Sequence, residues 1–429
     1  MPKLKKYFPG LFVTLAVIGP AIISGTANND AGGISTYSYA GSRFGYMLLW
    51  VLVINFFTLA CTQEIGVRLG IFTGKGLASL IRERFGMRWT FLAVVTLFGA
   101  NLAVTTSEFA GIAASLELFH LSKWVTVPVL AVVVWLVLYK GSFKKVERFF
   151  LVISTFFLVY VVSAVMSHPN WLEVVTSSVT PYFPADREFF LVLLGIMGTT
   201  ITPWGQFFIQ SYVVDKGIDV KHYKIEKLEV YFSAFFTCFI AAMIIITTKN
   251  VLFDHGILVD SAEKAALSLT PILGSLAKNI FAFGFFFASL LGAFILPLST
   301  SYSICEALGF EHGMNRTWKQ ARVFYGLMAG IIALSAVFVL TSYFSLFQIM
   351  LFSQVVNGML LPIILIFLIV LLNESDKIGV PKGSKIGSIF YNIITWETIV
   401  RLILVSILLI VFTIFPSCID FVKKWWITL

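Results

Sequence analysis

Within an otherwise apolar chain, the segment Gly19–Gly41 reads GPAIISGTANNDAGGISTYSYAG and sets the carboxylate Asp30 beside Asn28, Asn29 and the pair Gly32–Gly33. An ordinary spanning helix does not tolerate that group at mid-depth. A charge at the helix centre costs roughly 2.5–3.5 kcal/mol even on the lenient insertion scale. Non-helical backbone persists in hydrocarbon only where protein or a water-filled cavity surrounds it. A broken membrane helix carrying one acid is therefore a candidate cation site.

The chain has 429 residues, 58% hydrophobic and only 12% charged, with a mean hydropathy of +0.91. No soluble fold of this size hides that much apolar surface, which leaves an all-α polytopic membrane protein. The net charge of +9 is topological. Lys3, Lys5 and Lys6 precede the first span, and later clusters (Lys140, Lys144, Lys145 and Arg148, for instance) fall in alternate loops. This positive-inside bias predicts a cytoplasmic amino terminus and excludes a nucleic-acid partner. The basic, apolar start continues into the polar break without a cleavage site and reads as the first membrane helix. Cys61, Cys238, Cys305 and Cys418 are dispersed and without CxxC spacing, as expected of small buried side chains. The short loops and tails fit a bacterial inner (plasma) membrane protein. The sequence leaves the oligomeric state open, and a monomer suffices.

Apolar stretches at about 10–40, 44–68, 89–118, 123–139, 147–167, 188–215, 228–249, 272–307, 321–340, 344–372 and 397–416 predict eleven transmembrane helices, with the carboxy terminus outside. Two of them break. In the sixth, GIMGTTITPWGQFFIQSYVV, Pro203 removes an amide and crowds the preceding turn, which predicts unwinding near Thr199–Thr202. Interrupted segments at corresponding places in two halves point to an inverted repeat with the substrate at mid-membrane. The halves are 10–167 and 188–372, with 397–416 as an added eleventh helix, all in one transporter domain.

The segment from Gly19-Pro20 to Asp30-Ala31-Gly32-Gly33 resembles the first-helix motif of the NRAMP divalent-metal transporters, which ends in Asp-Pro-Gly-Asn. AGSRFGYMLLW (Ala40–Trp50) with RLGIFTGKGLA (Arg68–Ala78), KGSFKKVERFF (Lys140–Phe150), and SQVV (Ser353–Val356) with Pro362 are similar to further segments of that family. The resemblance implies a LeuT-like fold with broken first and sixth helices, and alternating access for a divalent cation. It also implies site residues: Asp30 and Gln354 at positions where the family binds its ion, and Thr199 at the sixth-helix break.

The departures concern the substrate. The family's asparagine is Gly33, its sixth-helix methionine is Thr202, and its histidines are Trp204 and Ile209. The third-helix Asp-x-x-Glu becomes Glu108 and Gly111. A thioether favours Mn and Fe over hard Mg and Ca, and threonine leaves only oxygens. Mg²⁺ keeps several waters and binds through one or two carboxylates. These replacements resemble the NRAMP-related magnesium-transporter branch, which implies Mg²⁺ transport with Mn²⁺ also carried. Losing the histidines removes groups that titrate near neutral pH, so transport uncoupled from protons is expected.

Asp30, Thr199, Thr202, Asn29, Gln354 and Gly33 are accordingly the expected cation site. Pro203, Trp204, Gly205 and Asn28 are expected to shape it. Thr199 and Thr202 could equally bond their own preceding carbonyls. Gln354 could be a packing amide, and the glycines could give room alone. Glu108 and Arg322 form either a residual polar pathway or a structural ion pair. Two competing functions are a proton-coupled Mn²⁺/Fe²⁺ importer and an organic-solute symporter on the same fold. An enzyme is not expected, since no nucleophile–base set, zinc signature or phosphate loop is present. No cofactor is expected beyond the divalent cation carried as substrate.

Overall fold

The structure, a computed structural model, describes residues 29–140, 155–184, 186–314, 316–381 and 385–415. Asn28, the first span before it, the loop motif from 141 to 150 and the fifth span up to 154 lie outside the described residues. Every regular element among the described residues is helical. In chain order they are α1 (Ala31–Phe44), α2 (Leu49–Thr73), α3 (Leu77–Phe85), α4 (Met87–Glu117), α5 (Lys123–Tyr139), α6 (Val159–Met166), α7 (Trp171–Val179) and α8 (Arg187–Thr200). There follow α9 (Pro203–Asp215), α10 (Tyr223–Val251), α11 (Ala262–Leu267), α12 (Thr270–Leu273), α13 (Ala277–Leu308), α14 (Arg322–Thr341), α15 (Leu346–Asn373) and α16 (Lys385–Ile414).

Local chemistry sets many of the boundaries. Asp30 caps α1, Ser345 and Gln348 form a capping box at the start of α15, and Gly74 ends α2 in the left-handed region at φ 66°. Eight helical stretches among the described residues are long and apolar enough to cross a membrane. Eleven spans were expected. The difference arises where the first span is described only past its break, where the fifth is described only in its last part, and where α5 is 17 residues long.

α4 lies between α13 and α15, and α15 in turn packs on α8 and α1, while α10 and α9 line α2. In lipid, helices associate through close packing of small residues, with no hydrophobic driving force between them. The α8–α15 contact shows this most clearly. A Cβ on Gly198 would lie 2.1 Å from the Gln354 carbonyl oxygen and 2.4 Å from the Gly358 nitrogen. A Cβ on Gly358 would lie 2.6 Å from the Leu194 carbonyl oxygen. Asn357 then donates its Nδ2 to the Gly198 carbonyl at 2.7 Å, locking the register.

Two acids on the long apolar helices are absorbed by this framework. Glu64 is fully buried and pairs with Arg68 at 2.8 Å, with Tyr223 donating to the same carboxylate and Lys227 at 3.9 Å. Arg68 also lies 5.2 Å from the Tyr391 ring centroid, so the cluster ties α2, α10 and α16 together. Glu306 places its carboxylate at the start of α3, where a Cβ on Gly76 would fall 2.3 Å from Oε1. An acid at a helix amino terminus satisfies free amides and the helix dipole. Cys61, Cys238 and Cys305 are buried and free.

Gly198→Val is expected to force α8 off α15 and lower the unfolding midpoint of the purified protein, with a penalty of about 1–3 kcal/mol typical of overpacking. Gly326→Ala, in α14 with no atom within 4 Å of its Cβ, is expected to leave the midpoint unchanged or raise it. Equal midpoints for Gly198→Val and the parent would show that the backbone contact is not what holds the two helices.

Candidate functional site

Asp30 sits in extended backbone (φ −73°, ψ −176°) immediately before α1. Its Oδ1 accepts the Gly33 amide at 2.7 Å, and its carbonyl accepts the Ile34 amide at 2.9 Å. The carboxylate is thus the helix cap, held in one orientation by the first turn of α1. Asn29 beside it is buried.

The second break is built differently. Thr200 ends α8, Ile201 and Thr202 are extended, and Pro203 opens α9 as its first residue. Proline fits that position because its missing amide would have no helical partner there. It also leaves the Thr199 carbonyl without the amide a continuous helix would have given it. Thr202 caps α9 by accepting the Gly205 amide at 3.2 Å. The unwound stretch is narrower than expected, two residues instead of four. Thr200 holds the last turn of α8 by donating to the Ile196 carbonyl at 2.7 Å, and its hydroxyl meets the Tyr37 hydroxyl at 3.0 Å.

These two breaks meet. A Cβ on Gly33 would lie 3.0 Å from Thr199 Oγ1 and 3.3 Å from Asp30 Oδ1, so the absence of a side chain at Gly33 leaves the threonine hydroxyl beside the capped carboxylate. From α15, Gln354 presses its amide against Gly32, whose Cβ would fall 1.8 Å from Nε2 and 2.9 Å from Ser107 Oγ on α4. Thr199 Oγ1, Ser107 Oγ and both amide atoms of Gln354 are buried without a hydrogen-bond partner. Such concentration matters because a buried unsatisfied polar atom costs about 1–3 kcal/mol. Trp204 borders the break half-buried, its ring 5.7 Å from Phe208. A Cβ on Gly205 would lie 2.8 Å from Thr202 Oγ1, so the cap depends on glycine there.

Glu108 corrects one expectation. Arg322 is exposed at the start of α14, and no ion pair joins it to Glu108 among the described residues. Glu108 lies two-thirds of the way along α4, too deep for a residue at the end of a helix to reach. It is fully buried, faces Asp30, and packs on Gly292, whose Cβ would be 2.6 Å from its carboxyl carbon. Its carboxyl lies against the Asp30 carboxyl and the Ala31 backbone at the start of α1. The cluster therefore holds two acids. Among the described residues no three His, Cys, Asp or Glu side chains gather as a metal site; the other donors are hydroxyls and amides. Ser107 and Asn357 escaped sequence reading, although Asn357 follows Gln354 by three residues in an apolar helix and Ser107 adjoins Glu108. Met350 places a thioether one turn from Gln354, but its sulfur accepts the Ser35 hydroxyl at 3.4 Å.

The profile of the family described as natural resistance-associated macrophage protein-like matches residues 21–412. The chain belongs to the Nramp family. A divalent metal cation transporter MntH of Caldanaerobacter subterraneus subsp. tengcongensis is 28% identical over 281 residues, covering 63% of this chain and 66% of that relative's length. The solved manganese transporter of Eremococcus coleocola, bound to an aromatic bis-isothiourea compound, superposes with a TM-score of 0.67 at 22% identity, covering 93% and 86% of the two chains. Mhp1, a nucleobase-cation-symport-1 family transporter solved in a closed conformation, gives 0.53 at 13% identity, covering 92% of each. The Nramp chain thus has a LeuT-like helical fold, in which the start of α1 meets the break between α8 and α9.

Thr202→Val removes the α9 cap from this Nramp chain and is expected to destabilise it by about 1 kcal/mol, seen as a lower unfolding midpoint, while Thr202→Ser keeps the parent value. Identical midpoints for all three proteins would show that the hydroxyl does not cap.

Proposed function

We propose that this chain carries divalent metal ions across the membrane by alternating access, Mg²⁺ foremost and Mn²⁺ as well. The amino terminus is cytoplasmic, and the halves 10–167 and 188–372 act as inverted repeats. The ion sits between the breaks, held by Asp30 and by oxygens from Thr199 and Gln354, with waters completing its shell. Thr202 and Asn29 contribute from the edges, and Gly33 keeps the space open. Membership of the Nramp family supports the substrate class. The observation that supports the choice of ion is the donor set itself, the capped Asp30 carboxylate with the unpartnered hydroxyls of Thr199 and Ser107 and the unpartnered amide of Gln354 beside it. Hard oxygens and one or two carboxylates suit an ion that dehydrates reluctantly. A soft thioether, which would favour Mn²⁺, is replaced by Thr202, and the Met350 thioether is engaged by Ser35. The membrane potential drives entry, worth about 2.3 kcal/mol per charge for each 100 mV.

A second reading, proton-coupled Mn²⁺ import, is favoured by Glu108. A buried carboxyl facing Asp30 is a place where a proton could travel with or against the metal.

Uptake of Mg²⁺, Mn²⁺ and Ca²⁺ into proteoliposomes tests both readings. Mg²⁺ and Mn²⁺ are expected to enter under an inside-negative potential without acidifying the lumen. Asp30→Ala is expected to reduce uptake by more than the roughly 10–100-fold typical of losing an outer-shell partner. Thr202→Met is expected to shift the preference toward Mn²⁺. Undiminished flux through Asp30→Ala would overturn the site, and acidification in step with metal entry would establish the coupled reading.

A further inference from the structure

From the break downward, α9 carries a line of polar groups, of which Gln206 and Gln210 take no part in the site between the breaks. Thr202, Gln206 and Gln210 follow one another at four-residue intervals, so they share one face of the helix, roughly 6 Å apart along its axis. Gln206 and Gln210 are fully buried, in an environment formed by the helices against which α9 packs: α2, α13, α4, α15 and α3. Both side-chain atoms of Gln206 lack a hydrogen-bond partner, as does Gln210 Oε1. A glutamine with both amide groups buried and unmatched forgoes about 1–3 kcal/mol for each. A leucine of similar size would avoid that cost, so a purely structural role does not account for it.

The ladder has a defined lower end. Gln210 donates its Nε2 to the Lys75 carbonyl at 2.8 Å. The neighbouring Gly76 receives the Glu306 carboxylate, 2.3 Å from where its Cβ would lie. The short loop between α2 and α3 is therefore gripped by α9 on one side and α13 on the other. Above it, Gly70 leaves room for Gln210, whose Cγ would be 3.2 Å from a Cβ at that position. A line of neutral oxygens thus leads from Thr202 down α9 to a loop with an acid at its edge.

We propose that Gln206 forms a second, weaker station for a hydrated divalent cation, one helical turn below the site between the breaks, and that the ion passes it on its way to the loop held by Gln210 and Glu306. The inference rests on the transport function proposed above. Neutral amide oxygens bind a divalent ion loosely, which suits a station that must release its cargo. The amide nitrogen can at the same time hold the ion's outer waters.

Gln206→Leu and Gln206→Glu, each reconstituted and tested with Mg²⁺ and Mn²⁺ alone, decide the matter alongside parent protein and Asp30→Ala. Gln206→Leu is expected to bind either ion in detergent with affinity unchanged within about 2-fold, because Asp30 is intact, while uptake falls about 10-fold or more (a barrier rise of about 1.4 kcal/mol). Gln206→Glu, which keeps the oxygen and adds charge, is expected to retain uptake with a lower half-saturating concentration and a lower maximal rate, as the ion lingers. Parent-like uptake through Gln206→Leu overturns the station. So does a Gln206→Glu protein that behaves like Gln206→Leu, or a Gln206→Leu protein that loses binding and flux together. Parent protein that moves neither ion would instead overturn the transport reading, so the two failures are distinguishable.

Discussion

The hydrogen bond from the Gly33 amide to the Asp30 carboxylate underlies the rest of the architecture. A carboxylate at mid-membrane is tolerated only if something holds its charge, and here the first turn of α1 does so through a free amide and the positive end of its dipole. The same contact starts the helix, since Asp30 is held in extended backbone and α1 begins at the next residue. The pair Gly32–Gly33 then serves the other side of the bargain. Without side chains, these residues let Thr199 and Gln354 approach the capped acid from α8 and α15. Neither contact could form around a continuous helix with ordinary side chains.

The framework outside the cluster is organised to keep those approaches fixed. α8 and α15 touch backbone to backbone at Gly198 and Gly358, which places Gln354 at a set height relative to the break below Thr200. α4 brings Ser107 and Glu108 to the same level from the opposite side. On the proposed reading, a change of access would rotate helices joined by such close contacts together. The buried Glu64–Arg68 pair, with Tyr223 and Tyr391 around it, gives α2, α10 and α16 a similar bond away from the ion. Its role is to hold those helices together, since breaking one partner of a buried pair leaves the other uncompensated.

Much of this was legible in the sequence because it rests on local rules. An acid beside glycines in an apolar run announces the first break, and proline after three threonine-rich positions announces the second. Capping and the chemistry of proline act within four residues, so Asp30 and Pro203 carry their own meaning. What the sequence could not reveal lies in tertiary approach. Glu108 stands next to Asp30 although 78 positions separate them, and nothing in its neighbours Ser107 and Phe109 says which helix it will face. The expected partner, Arg322, was chosen by charge, whereas depth in the membrane decides who can meet. Thr202 was readable as a polar group at the break, but not as the residue whose hydroxyl holds α9 in place of a simple kink. Glu306 likewise gains its role only in the folded chain, where its carboxylate meets the start of α3.

On the proposed reading, the chemistry of the donors explains how this Nramp chain would dispense with soft ligands. A stripped transition ion needs donors that replace its water shell and reward its polarisability, and a thioether does both. A hydrated ion needs only correctly spaced oxygens and amides, many of them unmatched until the ion and its waters arrive. The distribution of buried atoms follows that logic. Thr199, Ser107 and Gln354 keep unpartnered polar atoms in one region, while Thr247 and Thr248 on α10 turn their hydroxyls back onto the preceding helical carbonyls. The unpartnered hydroxyls and amide beside Asp30 are groups that water and a cation can engage, at the point where the α1 cap meets the end of α8.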